Sequence, residues 1–357
     1  MKNQTRTGYF HRVMNETPTE FWINNATPAE AKDAIEAGAV SASTNPTYPS
    51  RLLKVTPDYI NGIIDEVISE IEDDDKAADI IYQKAVSRLQ KLFYPIYKRT
   101  NGRYGYVAIQ GDPRLNRDSS TIIAGALQYR ELGENIIIKV PATPAGAAAM
   151  EILTANEHPT IATLGFSIDQ AIFMAEAHQR GLAKSKTNPV CYITSIAGIL
   201  DEYLSDIAEQ MGNSGLKELI LYAGCAVTRA TYKIFKARGF KAYLVGGGAR
   251  GTHHFSELIG GEMAITIGWS LAERLLAENL PIKATIFQDT PQQILHELEM
   301  NLPDFRKAFN ENSMSPEEFY TFGPVVSFQN VFLKGVNSLL EAITNRRTIV
   351  SLSVKSR

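Results

Sequence analysis

The residue with the most evident chemistry in this sequence is a lysine inside an apolar strand. Lys139 interrupts the run Ile-Ile-Ile-Lys-Val-Pro at residues 136–141, which is otherwise apolar on both faces, as buried parallel strands are. Lysine is rarely buried without a partner, and burial lowers the pKa of an amine, so that its neutral nitrogen can attack a carbonyl. We therefore expect Lys139 to form a Schiff base with a ketone or aldehyde. The alternatives are a snorkelling or ion-paired lysine, or one that binds phosphate or carboxylate.

The elements that must position this lysine alternate between short apolar runs and amphipathic helical stretches, a pattern typical of βα units with a parallel sheet. Eight runs are predicted as strands, and a ninth, at residues 241–245, has no certain place. Helices are expected at residues 28–37, after Thr27 with Glu30 three residues on, and at residues 118–132. The eight strands are residues 20–25, 39–45, 105–110, 135–140, 160–166, 190–196, 218–223 and 263–269.

Eight βα units in about 250 residues are the usual size of a (β/α)₈ TIM barrel, an α/β fold. We expect a single barrel at residues 20–282, an N-terminal arm at residues 1–19, and a helical C-terminal extension at residues 283–357 packed on the barrel. Lys139 falls near the carboxyl end of its strand, which is the end where such barrels build their active sites.

A glycine-rich segment is the second candidate for chemistry. Residues 246–254 read GGGARGTHH, in which glycines free backbone N–H groups to approach an anion and Arg250 offers a forked set of donors. The segment predicts either an anion site that includes Arg250 and His254, or a tight loop beneath the barrel. No carboxylate stands at an obvious ligand spacing from the two histidines beyond Glu257 and Glu262, so we expect no metal. No nucleotide-binding motif is present, and no cofactor is expected.

Composition excludes several classes of protein. With 36 basic and 39 acidic side chains among 357 residues, the net charge of −3 supplies no broad positive field, so neither nucleic acid nor an acidic membrane is an expected partner. No uncharged run approaches the length of a membrane span, and we expect a cytoplasmic protein. Cys191 and Cys225 lie in apolar runs and are expected to be buried free thiols.

Four ordered segments resemble the transaldolase family, the class I enzymes that include transaldolases and fructose phosphate aldolases. They are FWINNA at residues 21–26, ASTNP at residues 42–46, IIKVPAT at residues 137–143, and TLGFS at residues 163–167 followed by Gln170 and Ala171. The resemblance covers about residues 20–280. It implies that Lys139 captures a ketose as an imine, after which a carbon–carbon bond breaks and a three-carbon dihydroxyacetone unit remains on the enzyme.

The same resemblance implies roles for other residues. Gln110 and Thr163 would hold a catalytic water, and Asn24 would hydrogen-bond a substrate hydroxyl. The implied substrate ligands are Thr44, Asn45, Ser167, Thr194 and Arg229, the last as the family's seventh-strand arginine. Apart from the resemblance, the period-2 alternation of the strands places Tyr106, Tyr192 and Tyr222 one layer deeper as core packing, with a proton relay through Tyr192 as a minor alternative.

The sequence departs from the family at three places. Asn24 stands where the family has a first-strand aspartate, and an amide cannot serve as a base near neutral pH. Gln110 stands where transaldolases carry glutamate, as in the fructose phosphate aldolases. The sixth-strand segment has no arginine for a substrate phosphate, either by replacement at Ile199 or by deletion.

Two functions are compatible with these residues. The first is a transaldolase-like class I enzyme that cleaves or transfers a three-carbon unit of a ketose or ketose phosphate. The second is a barrel that binds a sugar or sugar phosphate without turning it over, as a sensor or scaffold. The partner is a small sugar or sugar phosphate. A homo-oligomer is expected from the family and from the aromatic residues of the tail, Phe319, Tyr320, Phe322, Phe328 and Phe332, which would either cover the barrel or face a second subunit.

Overall fold

A closed barrel of eight parallel strands forms the centre of the chain in a computed structural model that describes residues 8–355. The strands are β1 (Glu20–Asn24), β2 (Ser41–Ser43), β3 (Val107–Gln110), β4 (Ile136–Pro141), β5 (Thr160–Thr163), β6 (Cys191–Ser195), β7 (Tyr243–Gly246) and β8 (Met263–Ile267). They follow one another around the barrel in chain order, and β1 closes it by pairing with β8. The predicted (β/α)₈ barrel is confirmed.

Helices surround this barrel and continue beyond it. They are α1 (Tyr9–Glu16), α2 (Pro28–Ala37), α3 (Tyr48–Val55), α4 (Pro57–Ile68), α5 (Asp74–Arg99), α6 (Ser119–Arg130), α7 (Pro144–Ala155), α8 (Ile168–Leu182), α9 (Ala197–Gln210), α10 (Lys217–Ile220), α11 (Ala223–Arg238), α12 (His253–Ser256), α13 (Trp269–Glu278), α14 (Gln292–Asn301), α15 (Pro303–Phe309) and α16 (Gly323–Lys355). Short 3₁₀ helices occupy Pro113–Leu115, Ser214–Leu216, Thr285–Phe287 and Pro316–Tyr320.

The helix starts predicted from the sequence are found with their caps. At α2 the Thr27 hydroxyl accepts from the Glu30 N–H (3.2 Å) and the Glu30 carboxylate accepts from the Thr27 N–H (2.7 Å), so both halves of the capping box are made. Asp118 caps α6 by accepting from the Thr121 N–H at 2.7 Å. These bonds satisfy N–H groups that a helix cannot pair internally.

The predicted seventh strand at residues 218–223 is wrong. Those residues form the end of α10 and the turn into α11, while the uncertain run at residues 241–245 contains most of β7. In the helical segment Leu216, Ile220 and Ala223 are buried, whereas Leu221 and Tyr222 are 53% and 43% exposed. Burial therefore recurs at the helical spacing of three to four residues, not at the strand spacing of two. Tyr222 consequently lies outside the barrel.

Two of the apolar clusters in the described chain contain residues that line the site. The inside of the barrel is filled by Trp22, Tyr106, Ala108, Ile137, Ile161, Tyr192, Val245 and Ala264. A separate cluster joins α8, α9 and α11 to the C-terminal helices, and it contains Phe319, Phe322, Phe328 and Phe332. These aromatic residues are covered by their own chain, so they supply no argument for a second subunit.

The amino-terminal end of the barrel holds a buried polar group. Arg103 pairs with Glu20 at 2.7 Å, and the Tyr192 hydroxyl donates to the Glu20 carboxylate at 3.3 Å. Burial raises the pKa of Tyr192 well above its usual value of 10. Tyr192 also packs against Trp22, with ring centroids 4.7 Å apart, in the buried position expected of a core residue.

Several smaller expectations can be compared with the described residues. Cys191 and Cys225 are free and buried, as expected. Between residues 8 and 355, no helix combines the length and apolarity needed to cross a membrane. The proposed division of the chain at residues 19 and 282 stays a prediction, and residues 1–7 of the N-terminal arm lie outside the described part.

Candidate active site

Lys139 lies on β4 with its side chain inside the barrel. The residue is only 8% exposed, and its Nζ donates a 2.9 Å hydrogen bond to the carbonyl oxygen of Thr44. Burial lowers the pKa of Lys139 from 10.5 to about 7, and no charged neighbour among residues 8–355 offsets that effect. A large fraction of this amine is therefore neutral near pH 7, which is the form that attacks a carbonyl.

Lys139 opens into a cavity of about 190 Å³ at the carboxyl ends of the strands. Its polar lining comes from the last residues of several strands or from the turns that follow them, as in barrel enzymes generally. Besides Lys139 and Arg250 these polar residues are Asn24, Asn25, Ser43, Asn45, Thr47, Thr163, Thr194 and Thr266. Of the predicted ligands, Asn24, Asn45, Thr163 and Thr194 thus meet at one cavity with the lysine.

The other side of the cavity is apolar. Trp22 of β1 lines its base, and Ile196 and Ile199 line the wall beside β6 and α9. Phe328, Val331 and Phe332 of α16 also line the cavity and form its roof.

A hydrogen-bond network holds Asn45 in place. Its Oδ1 accepts from the Asn25 side chain (3.2 Å), from the Thr47 N–H (3.0 Å) and from the Thr47 hydroxyl (2.6 Å). Asn25 adopts φ 48°, a left-handed conformation that asparagine tolerates better than most residues. With its oxygen fully occupied, Asn45 has its Nδ2 group left to donate to a ligand.

Two hydroxyls in the cavity lack partners. Oγ1 of Thr194 and Oγ1 of Thr266 are buried and make no hydrogen bond within residues 8–355. Buried polar atoms in native proteins are nearly always hydrogen-bonded, so these hydroxyls indicate a place for a polar ligand.

Gln110 and Thr44 lie beside Lys139 but take different positions from those expected. Gln110 is the register partner of Lys139 on β3, and its buried Oε1 has no partner within the described chain. It lines a smaller pocket of about 50 Å³ next to α5, not the 190 Å³ cavity. Thr44 contacts Lys139 through its carbonyl, while its hydroxyl bonds Tyr82 (2.9 Å) and the Ala108 carbonyl (2.8 Å).

Ser167 and Arg229 do not line the cavity. Ser167 caps α8, where its hydroxyl accepts from the Gln170 N–H at 3.1 Å. The prediction of Arg229 as a seventh-strand arginine is wrong in position, because Arg229 lies on α11 and pairs with Glu257 at 2.5 Å. Both side chains make hydrogen bonds within the protein, and their roles as substrate ligands stay predictions.

The glycine-rich segment follows β7 at the same end of the barrel as Lys139, so it is not a loop beneath the barrel. Gly247, Gly248 and Arg250 line the cavity. The N–H of Gly247 donates to the Ser195 carbonyl at 3.1 Å, and the N–H groups of Arg250 and Gly251 donate to His254 Nδ1 at 3.4 and 3.2 Å. Most of the donors expected to cradle an anion are therefore engaged within the protein.

His254 acts as the anchor of this loop. Because its Nδ1 accepts from the backbone, the ring proton is on Nε2, which lies 2.9 Å from Asp201 Oδ2. Asp201 Oδ1 in turn accepts from the Gly224 N–H at 2.7 Å. The atoms of Asp201, His253 and His254 that could bind a metal ion all lie within 4.8 Å of one another. In this tautomer of His254, however, Nε2 directs its proton at Asp201, and a metal ligand needs a free lone pair.

Arg250 reaches the cavity while paired with a carboxylate. Its Nε and Nη2 donate to Glu202 Oε2 at 2.9 and 2.8 Å, and the two side chains are 45% and 52% exposed. Exposed pairs of this kind contribute about 0–1 kcal/mol.

Sequence reasoning missed several lining residues. Ser43 and Thr266 could have been found by extending the alternation of β2 and β8 to their carboxyl ends. The roof residues on α16, and the Asp201 carboxylate beside the histidines, come from distant parts of the chain and carry no local signal.

Comparison with known proteins adds a family-level finding. A family model described as Transaldolase/Fructose-6-phosphate aldolase matches residues 21–318. A transaldolase of Campylobacter jejuni is 34% identical over 174 residues, which are 47% of this chain and 46% of that protein. A transaldolase of Thiobacillus denitrificans is 30% identical over 171 residues, covering 46% and 47%. One of an Arthrobacter species is 27% identical over 209 residues, covering 56% of each. The chain spans about half the length of the curated relatives it matches.

Proposed function

Because the chain belongs to the Transaldolase/Fructose-6-phosphate aldolase family, we propose that it is a class I enzyme that forms an imine between Lys139 and a ketose. It then cleaves or transfers a three-carbon dihydroxyacetone unit. The observation that carries this proposal is the buried Lys139 amine, with its pKa lowered to about 7, at the edge of a polar cavity.

The proposed reaction uses the lysine as an electron sink. Neutral Nζ adds to the ketose carbonyl, and loss of water gives a protonated imine. The carbon–carbon bond two positions away then breaks as the neighbouring hydroxyl loses its proton. The bonding pair moves toward the imine nitrogen, which leaves an enamine on Lys139 and releases an aldehyde. The enamine either attacks another aldehyde or takes a proton, and water then hydrolyses the imine.

The proton from that hydroxyl must leave through a weak acceptor. Asn24 lines the cavity, Gln110 lies next to Lys139, and both are amides that cannot act as bases near neutral pH. Water hydrogen-bonded to Thr163 is the acceptor in this proposal. A general base contributes about 10²–10⁴-fold to such a step, so we expect slow turnover.

The remaining polar residues bind the substrate hydroxyls in this scheme. Asn45 donates through Nδ2, and Thr194 supplies one of the unpartnered hydroxyls. Ser43 and Thr266 join them from β2 and β8. Thr44, Ser167, Arg229 and His254 act as supports for the strands and loops around the cavity.

Reductive trapping tests this function. Borohydride treatment with dihydroxyacetone should add one reduced three-carbon unit, and peptide mapping should place it at Lys139. The Lys139→Met variant, similar in length and without an amine, is the matched control. Ligand binding without an adduct across a panel of ketoses would contradict the enzyme and favour a sugar-binding barrel. Partition of the three-carbon unit between water and an added aldehyde measures cleavage against transfer.

A further inference from the structure

The cavity is divided into two chemically different halves. The reactive half, around β1, β2, β4 and β5, holds Lys139 and most of the polar side chains. The opposite half, at the end of β6 and under α16, is mostly apolar, with Thr194 and Arg250 as its polar side chains. Its apolar residues are Ile196, Ile199, Phe328, Val331 and Phe332. Because the three-carbon unit must sit at Lys139, the aldehyde that joins or leaves it occupies the second half.

This second half is poorly equipped to hold a phosphate. Lys139 and Arg250 are the ionisable side chains that line the cavity within residues 8–355. Arg250 lies against Glu202, whose carboxylate repels an incoming anion. The backbone N–H groups of Gly247, Arg250 and Gly251 are already bonded within the protein. A phosphate here would lose water and regain few hydrogen bonds, which is costly.

The roof favours an apolar group. Val331 is 45% and Phe328 9% exposed, whereas Phe332 is almost fully covered at 1%, and all three line the cavity. Covering such surface stabilises a complex by about 25 cal/mol per Å² of apolar area removed from water. The roof also lies outside the part of the chain matched by the family model, since α16 begins at Gly323 and the match ends at residue 318.

We propose that the aldehyde substrate of this cavity has an uncharged, apolar end instead of a terminal phosphate. This inference rests on the proposed function, because it requires the enamine on Lys139. The enamine carbon attacks the aldehyde carbon, its electron pair forms the new carbon–carbon bond, and the carbonyl oxygen takes a proton from water. Hydrolysis of the imine then releases a ketose with an apolar tail and the free lysine.

The test compares three aldehydes with dihydroxyacetone as the donor: butanal, glyceraldehyde and glyceraldehyde 3-phosphate. We expect kcat/KM for butanal to exceed that for glyceraldehyde 3-phosphate by about tenfold or more, since a few methylene groups in an apolar pocket provide discrimination of that size. Equal values, or a preference for the phosphorylated aldehyde, would overturn the inference.

A matched pair of variants tests the effect of adding one positive charge to the roof. Val331 is 45% exposed on α16, so both Val331→Lys and Val331→Gln should fold. The lysine variant should use glyceraldehyde 3-phosphate about tenfold better than the glutamine variant, by the factor that one new charged contact provides. Both variants should use butanal less well than the unaltered protein. If the two variants use the phosphate equally, the roof does not face the aldehyde and the inference is wrong.

Trapping in the same samples separates the two proposals. An adduct at Lys139 together with a preference for the phosphorylated aldehyde would overturn only this inference. Absence of the adduct with dihydroxyacetone would overturn the proposed function, and this inference with it.

Discussion

Burial of the Lys139 amine costs stability, because it disfavours the charged form and the Thr44 carbonyl is the single hydrogen-bond partner of Nζ within residues 8–355. Its chemistry should therefore follow the protonation of one group. Below pH 7 the amine is mostly protonated and inert, and above pH 7 it is mostly neutral. We expect the rate of imine formation with dihydroxyacetone to rise between pH 6 and 8 with a midpoint at the pKa of about 7. Single-turnover trapping measures this rate, and a flat profile over that range would contradict the low pKa.

The lowered pKa of Lys139 also predicts how the free energy of unfolding depends on pH. In the unfolded chain Lys139 stays protonated up to its ordinary pKa of 10.5, while in the folded chain it loses its proton near 7. The unfolded state therefore binds more protons between these values, and the free energy of unfolding rises with pH across that window.

Lys139→Met removes this contribution and should raise the free energy of unfolding at pH 7, by on the order of 2–4 kcal/mol. The difference between the two proteins should shrink as pH approaches 10.5. Urea denaturation at pH 7 and pH 10 measures both values. A variant less stable than the original at pH 7 would indicate that the amine is structural.

A substitution at Asn24 tests the effect of restoring a carboxylate where the family has a first-strand aspartate. Asn24→Asp places a carboxylate in the cavity at the end of β1, and general bases contribute about 10²–10⁴-fold to proton transfer. We expect cleavage of a ketose adduct to be at least about tenfold faster. Asn24→Ser, which changes the side chain without adding a base, should show no increase. Unchanged cleavage in the aspartate variant, with the imine still formed, would place the proton acceptor elsewhere.

At this scale the sequence predicted the buried lysine and half of the residues around it. Lys139 could be found because a charged residue in an apolar strand is unusual, and the resemblance identified Asn24, Asn45, Thr163 and Thr194. Thr44 and Ser167 lie in the same motifs, yet their side chains turn to Tyr82 and to the α8 backbone. A motif fixes the position of a residue along the chain, whereas the direction of its side chain depends on neighbours that are distant in sequence.

At the scale of elements, the error over β7 has a general cause. The apolar run at residues 218–223 and the run at residues 241–245 are both short, and short apolar runs fit a strand or a buried helical turn equally well. The structure distinguishes them because Leu221 and Tyr222 face solvent while Ile220 is buried in the cluster that joins the barrel helices to the C-terminal helices. The helix that bears Ile220, α10, contacts α9, α11 and α14. Capped helices such as α2 were predictable since their caps are local.

The junction of β4 and α7 should be the element most sensitive to added volume. Gly146 lies in the first turn of α7, where a methyl group would overlap the Pro141 carbonyl oxygen at the end of β4. Gly146→Ala should therefore lower the free energy of unfolding by about 1–3 kcal/mol and displace the strand that bears Lys139.

Gly125→Ala is the matched control for that substitution. Gly125 lies within α6 with no atom near the position of a new Cβ, so alanine should raise the stability by about 0.5–1 kcal/mol through its helix propensity. Thermal denaturation of both variants provides the comparison. A Gly146→Ala protein as stable as the original would show that α7 can shift without cost.

At the scale of the whole molecule, the barrel could be predicted from the sequence, whereas the position of α16 over the cavity could not. Alternating strands and helices indicate a barrel through local patterns, but the position of α16 across the cavity depends on contacts with α3, α4, α5 and α9. The tail aromatics were expected either to cover the barrel or to face a second subunit. They pack on α8, α9 and α11, so the expectation of a homo-oligomer now rests on the family alone.

Trp22 at the base of the cavity gives the molecule an internal optical reporter. It is fully buried beside Tyr192, whereas Trp269, the other tryptophan of the chain, is half-buried at the start of α13. In a Trp269→Phe protein, all indole emission would come from the base of the cavity that Lys139 lines. Occupancy by a sugar should then change the fluorescence intensity in real time, without a label or a coupled assay.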